Sequence, residues 1–122
     1  MISSSNRFLY PVSLPFAVLV VLLTMTGTAQ AVVAATIRGS GTSWNPTRVT
    51  INAGQTVRWK ATSGDHTIRS YGGNWSFSRT LDAGTSRKHT FNSTGTFKFY
   101  CTIHGSVSGG TCTGMCGKVR VT

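Results

Sequence analysis

Acidic side chains are almost missing from this 122-residue chain. It has no glutamate and two aspartates, Asp65 and Asp82, against twelve lysines and arginines, for a net charge of +10. All of those cations except Arg7 lie beyond position 36. So lopsided a balance favours an acidic partner surface, anionic lipid or cell-wall polymer. Nucleic acid is disfavoured, because the basic residues are scattered along the chain rather than clustered. A helical period is lacking too, as are an internal repeat and the length for a second domain. The longest unbroken apolar run, Phe16 to Leu23, falls far short of the roughly 20 residues that cross a bilayer.

That run has the marks of an export signal. Arg7 gives a positive start, and Ala29-Gln30-Ala31 is a small-x-small cleavage site. Residues 1–31 are expected to be a signal peptide, with cleavage after Ala31 or, at Val33-Ala34-Ala35, after Ala35. The alternative is a retained membrane anchor. Either way the domain, 36–122, is expected outside the cytoplasm, in the periplasm or extracellular space. It is long enough to fold around one core.

Three cysteines are an odd number for an oxidising compartment. Pairing Cys112 with Cys116 leaves Cys101 as a free thiolate. The competing pairing ties Cys101 to one of the other two.

What the chain does contain is a series of short period-2 segments rich in Thr, Val and aromatics, divided by turn residues. Thr36-Ile37-Arg38, Arg48 to Asn52, Thr56 to Lys60, His66 to Arg69, Arg87 to Phe91, Thr96 to Cys101 and Lys118 to Thr122 read as strands. Ser40 to Pro46 reads as a loop, and Tyr71 to Ser78 as irregular. The fold class expected is all-β, an antiparallel sandwich, with a five-stranded barrel as the alternative. Alternation also places side chains. Phe97 and Phe99 face the core, so Cys101 does too, and Lys98 faces water. His66 shares its inward face with Ile68.

Chemistry concentrates in Tyr100-Cys101-Thr102-Ile103-His104 and, past a Gly/Ser-rich loop, Cys112-Thr113-Gly114-Met115-Cys116-Gly117. Thiolate, imidazole and thioether are soft or borderline ligands, which select copper, zinc or iron over calcium and magnesium. Cys101 and His104 can reach one metal from a strand end and the following turn. Met115 approaches from the far side of the loop, and His66 is the candidate fourth ligand. Two imidazoles and a thiolate with a weak axial thioether make a blue-copper donor set.

These residues resemble the cupredoxin family, close to the plastocyanin and pseudoazurin type. The likeness rests on Val57-x-Trp59 followed by His66, on Gly95-x-Phe97-x-Phe99-Tyr100-Cys101-x-x-His104, and on Met115-x-Gly117-x-Val119-x-Val121. It implies a Greek-key sandwich and one type 1 copper ion on His66, Cys101, His104 and Met115. It also implies one-electron transfer between redox partner proteins, with His104 as the electron port near the surface. Two features depart from the family pattern. The segment between His104 and Met115 is longer than the plastocyanin type usually has, and it carries Cys112. Thr67 stands where many relatives have an asparagine that holds the ligand loops together.

Other classes remain in view. A Cys3His zinc module on Cys101, His104, Cys112 and Cys116 has suitable ligand types, but needs three reduced thiols in an oxidising compartment. A copper delivery protein would share the fold. An oxidase or nitrite reductase fragment would need a second metal site, and no further histidine cluster exists to build one, so no enzymatic activity is expected. His89 reads as structural or solvated. Trp44, Trp59 and Trp75 read as core or strand-pair residues. Ile103 and Val107 are candidates for an apolar collar beside His104. The domain is expected to be a monomer that meets membranes only peripherally, unless the N-terminal segment is retained as an anchor.

Overall fold

The structure, a computed structural model, describes residues 11, 13, 15–25, 27 and 32–122. The expected cleavage point after Ala31 lies outside the described residues. Among the described residues there is no helix, and none that is long and apolar enough to cross a membrane.

Among the described residues, nine strands form two sheets. They are β1 (Val33–Ser40), β2 (Ser43–Asn45), β3 (Arg48–Ile51), β4 (Gln55–Ser63), β5 (His66–Tyr71), β6 (Ser78–Leu81), β7 (Ser86–Phe91), β8 (Gly95–Ser108) and β9 (Thr111–Val121). One sheet runs β2-β1-β4-β7 and the other β3-β9-β8-β5-β6. The all-β sandwich is therefore as expected, and the barrel alternative is not what forms.

The expectation of purely antiparallel strands needs correcting. β1 pairs with β4 in parallel, from Val33 opposite Thr56 to Ser40 opposite Ser63. β3 pairs with β9 in parallel, Arg48 opposite Lys118 through Ile51 opposite Val121. Alternation along one strand fixes which face is buried but not the direction of its neighbour. Several boundaries also differ: the last strand begins at Thr111 rather than Lys118, and Ser78–Leu81 is a strand where none was read. The first strand begins at Val33 rather than Thr36. Ser43–Asn45 is a strand within the segment read as a loop. β8 continues past Cys101 to Ser108, after an irregularity in its pairing with β9 between Tyr100 and Gly105.

The core follows from the alternation. In β4, Val57, Trp59 and Ala61 are fully buried while Lys60 is exposed. Ile37 lies beside Trp59 on the neighbouring β1, and Ile68, Leu81, Phe99 and Val119 close on them from the other sheet. Trp59 sits at the centre, 5.3 Å edge-on to Phe99 and 5.7 Å from Phe77. At that position a large aromatic contributes most through area removed from water. Its indole N–H is buried with no hydrogen-bond partner. His89 packs edge-on against Phe77 and Phe91, at 4.9 and 4.6 Å, so it is a structural histidine as expected.

Candidate metal centre

Three strands of one sheet deliver the donors. His66 opens β5, Cys101 and His104 lie on β8, and Met115 lies on β9. Phe97, Phe99 and Cys101 are all buried and Lys98 is exposed, so strand parity places the sulfur inward. His66 is 1 % exposed and Met115 is 1 % exposed, whereas His104 reaches the surface in part. One donor atom each from His66, Cys101 and His104 lies within 4.8 Å of the others.

The distances fit a metal better than a set of hydrogen bonds. Cys101 Sγ stands 3.9 Å from His66 Nδ1 and 3.7 Å from His104 Nδ1. Bonds of about 2.0 Å to nitrogen and about 2.3 Å to sulfur, set in a trigonal plane, leave nitrogen and sulfur about 3.8 Å apart. The tautomer also suits ligation. His66 Nε2 lies 2.9 Å from the Ser63 carbonyl, which can only accept, so Nε2 carries the proton and donates. The Nδ1 lone pair is thereby turned toward the sulfur.

The frame around these donors is close-fitting. Trp44 on β2, from the opposite sheet, lies 5.6 Å from the His66 ring and donates from Nε1 to the Met115 carbonyl at 3.2 Å. Gly39 leaves room for both: a Cβ there would come within 2.9 Å of His66 Cδ2 and of Trp44 Cζ3. Gly114 has a φ of +85°, and a side chain on it would collide with the His104 carbonyl oxygen. The pairing of Gly105 with Gly114 thus brings the backbone of Met115 against that of His104. Trp44, Gly39 and Gly114 were not singled out in the sequence as site residues. Their roles depend on contacts with distant parts of the chain.

Thr67 performs the linking expected of an asparagine in its place. Its backbone N–H points at Cys101 Sγ, 3.5 Å away. Its hydroxyl meets that of Thr102 at 2.8 Å and accepts the Thr102 N–H at 2.8 Å. The strand ends carrying His66 and Cys101 are therefore joined side by side.

Cys112 and Cys116 form a disulfide, and Cys101 is free and buried. The competing pairing through Cys101 does not occur. The zinc alternative is overturned by the same bond, because two of its three sulfurs are tied to each other. Ile103 is 57 % exposed beside His104, with Val107 half-buried, so Ile103 is the exposed part of the expected collar.

No protein-family model and no curated protein matches the sequence. Solved structures do. A purple cupredoxin from Nitrosopumilus maritimus is 26 % identical, with a TM-score of 0.56, over 72 % of this chain and 99 % of that one. Amicyanin from Paracoccus versutus is 24 % identical, TM-score 0.57, over 80 % and 86 %. A copper-containing nitrite reductase from Thermus scotoductus is 23 % identical, TM-score 0.60, over 76 % of this chain but 22 % of that one.

Proposed function

We propose, for a chain that is a cupredoxin by its fold and its His-Cys-His cluster, that it is a blue copper protein passing single electrons between redox partner proteins. The observation that carries this is the isolation of one sulfur between two imidazoles. Cys101 is buried and free with Nδ1 atoms at 3.7 and 3.9 Å, while the other two cysteines are bonded to each other. That donor set suits copper, with thiolate for the +1 state and imidazole for the +2 state. When bound, copper supplies a one-electron couple, so one electron enters from a donor and one leaves to an acceptor with no proton to move.

The residues divide the remaining work. Cys101 supplies the thiolate, and the Thr67 N–H stabilises its negative charge. His66 is held in one orientation by the Ser63 carbonyl. Met115, buried on β9, would offer its thioether to the metal as a fourth, weaker ligand. His104, partly exposed and flanked by Ile103, is the route for the electron to a docked partner. Because the frame is β-structure tied by Thr67–Thr102 and Trp44–Met115, the donors shift little between oxidation states.

The rest of the proposal concerns setting. Residues 1–31 direct export and are removed, or the segment stays as an anchor. The mature domain works as a monomer outside the cytoplasm, with no enzymatic activity. Its partners present acidic surfaces, matching the excess of lysine and arginine over aspartate in the domain.

The test is optical. Cu(II) added to the purified protein is expected to give an intense visible thiolate-to-copper band that Cys101→Ser abolishes. A colourless copper complex would overturn the proposal. A coloured complex that exchanges no electrons in stopped flow with small redox proteins would favour copper delivery over electron transfer.

A further inference from the structure

The outer face of the β3-β9-β8-β5 sheet carries a feature that electron transfer through His104 does not use. Lys98 on β8 stands directly opposite Lys118 on β9, and Lys118 directly opposite Arg48 on β3. Tyr71 on β5 continues the same row beyond Lys98. Two residues along, Arg120 lies between Thr96 and Thr50. Adjacent strands are about 4.8 Å apart, so three cations are held in a row of about 10 Å. Like charges directly opposite each other in a sheet are destabilising. The chain's two carboxylates offer no relief, since neither Asp65 nor Asp82 lies on these strands.

The row borders an open cleft. Gly110, Thr111 and the disulfide residues Cys112 and Cys116, from the β8–β9 hairpin, line it together with Arg48, Lys98, Lys118 and Tyr71. The cleft holds about 430 Å³. A second hollow of about 310 Å³, lined by Arg48, Thr96, Lys118 and Arg120, adjoins it through two shared cations. Lys98 is steadied over the Tyr71 ring, its Nζ 5.8 Å from the centroid. The Tyr71 phenol, protonated at neutral pH as phenols ordinarily are, keeps an O–H that can donate.

We propose that this cleft binds an oxyanion of the phosphate class. Arg48, Lys98, Lys118, Tyr71, Thr47 and Thr111 line one space. A carboxylate offers two oxygens to such a set, whereas a phosphate offers three or more and up to two charges. Binding would remove the cross-strand repulsion, so it stabilises the fold by linkage. The ligand is either free phosphate or the phosphate group of a larger polymer. The site does not depend on copper.

The experiment is thermal unfolding of the purified full chain, titrated with inorganic phosphate, with sodium chloride at matched ionic strength, and with tripolyphosphate. The expected result is a saturable rise in midpoint with phosphate beyond that with chloride. Response to inorganic phosphate identifies a free anion. Response to tripolyphosphate alone identifies polymer phosphate. Lys98→Gln/Lys118→Gln should start with a higher midpoint at low salt and bind phosphate about tenfold more weakly or worse. Arg58→Gln/Lys60→Gln, on the other sheet, lowers the net charge equally and should leave the response intact. The proposal is overturned if neither phosphate nor tripolyphosphate acts more strongly than matched chloride. It is equally overturned if both double variants respond alike, or if a glutamate-rich peptide binds the row and phosphate does not displace it.

Discussion

The Thr67 hydroxyl accepts a hydrogen bond from the Thr102 amide at 2.8 Å, across 35 positions of sequence. Each threonine follows a metal-ligand candidate, His66 and Cys101. One side chain thus fixes the separation of two donors before any metal arrives. Thr67→Val keeps the shape and removes the acceptor, leaving the Thr102 N–H without it. The expected cost is about 1 kcal/mol of unfolding free energy, read by denaturant titration of the metal-free protein. Copper should also dissociate faster from the variant. An unchanged off-rate would show that the donors hold their spacing without this bond.

Gly39 and Trp44 form the wall behind His66. A methyl at position 39 would press on both rings at 2.9 Å. Gly39→Ala is expected to destabilise the protein by about 1–3 kcal/mol through overpacking and to alter the visible spectrum by displacing His66. Trp44→Phe retains most of the packing but leaves the buried Met115 carbonyl without its 3.2 Å donor. Its cost is about 1–3 kcal/mol. Because it acts on the backbone of the proposed axial ligand, the reduction potential should move with it. Voltammetry of the two variants separates the effects: a shared stability loss with an unchanged potential in Trp44→Phe would remove Met115 from the proposed ligand set.

The Cys112–Cys116 bond closes a ring with four residues of sequence separation. On the chain-entropy estimate such a ring adds about 2 kcal/mol, less than a 15-residue loop would. The bond's other effect is local, since it brackets Met115 and ties the hairpin that borders the basic cleft. Cys112→Ser/Cys116→Ser should therefore lose about 2 kcal/mol and shift the reduction potential and visible spectrum of the copper form. An unchanged spectrum and potential would confine the bond to stability.

Much of this arrangement could be read from alternation alone. Phe97, Phe99 and Cys101 fall on one face of β8, and the burial of the two rings carries the sulfur inward with them. Ile68 does the same for His66. Other parts were closed to that reasoning for physical reasons. The parallel pairings of β1 with β4 and β3 with β9 join segments whose own patterns are the same in either direction. β8 breaks step with β9 between Tyr100 and Gly105, so no period runs through to Ser108. Trp44 sits in a short edge strand among loop-forming residues, and its partner is a carbonyl 71 positions away. The phosphate-class cleft depends on register across three strands, and charge counted along the chain shows only scattered cations.

Acid should act on this protein through His89. Acid unfolding usually proceeds by protonating carboxylates that are paired in the native state, and this chain has two side-chain carboxylates. His89 lies half-buried among Trp75, Phe77 and Phe91. That burial first, and the positive charge of Arg79 second, lower its pKa below the usual 6.5. Between the lowered value and 6.5 the unfolded chain binds more protons at this position than the folded one. Stability therefore rises with pH across that window. It is lost as pH falls from about 6.5, and the loss levels off once the folded form is protonated as well. His89→Gln cannot titrate there, so its stability curve should be flatter over the same interval. Subtracting the two curves for metal-free protein cancels the contributions of His66 and His104, provided the sites act independently. A difference that stays constant from neutral pH down to pH 4 would mean that His89 is protonated as readily in the fold as in water, and that the aromatic cage imposes no penalty on its charge.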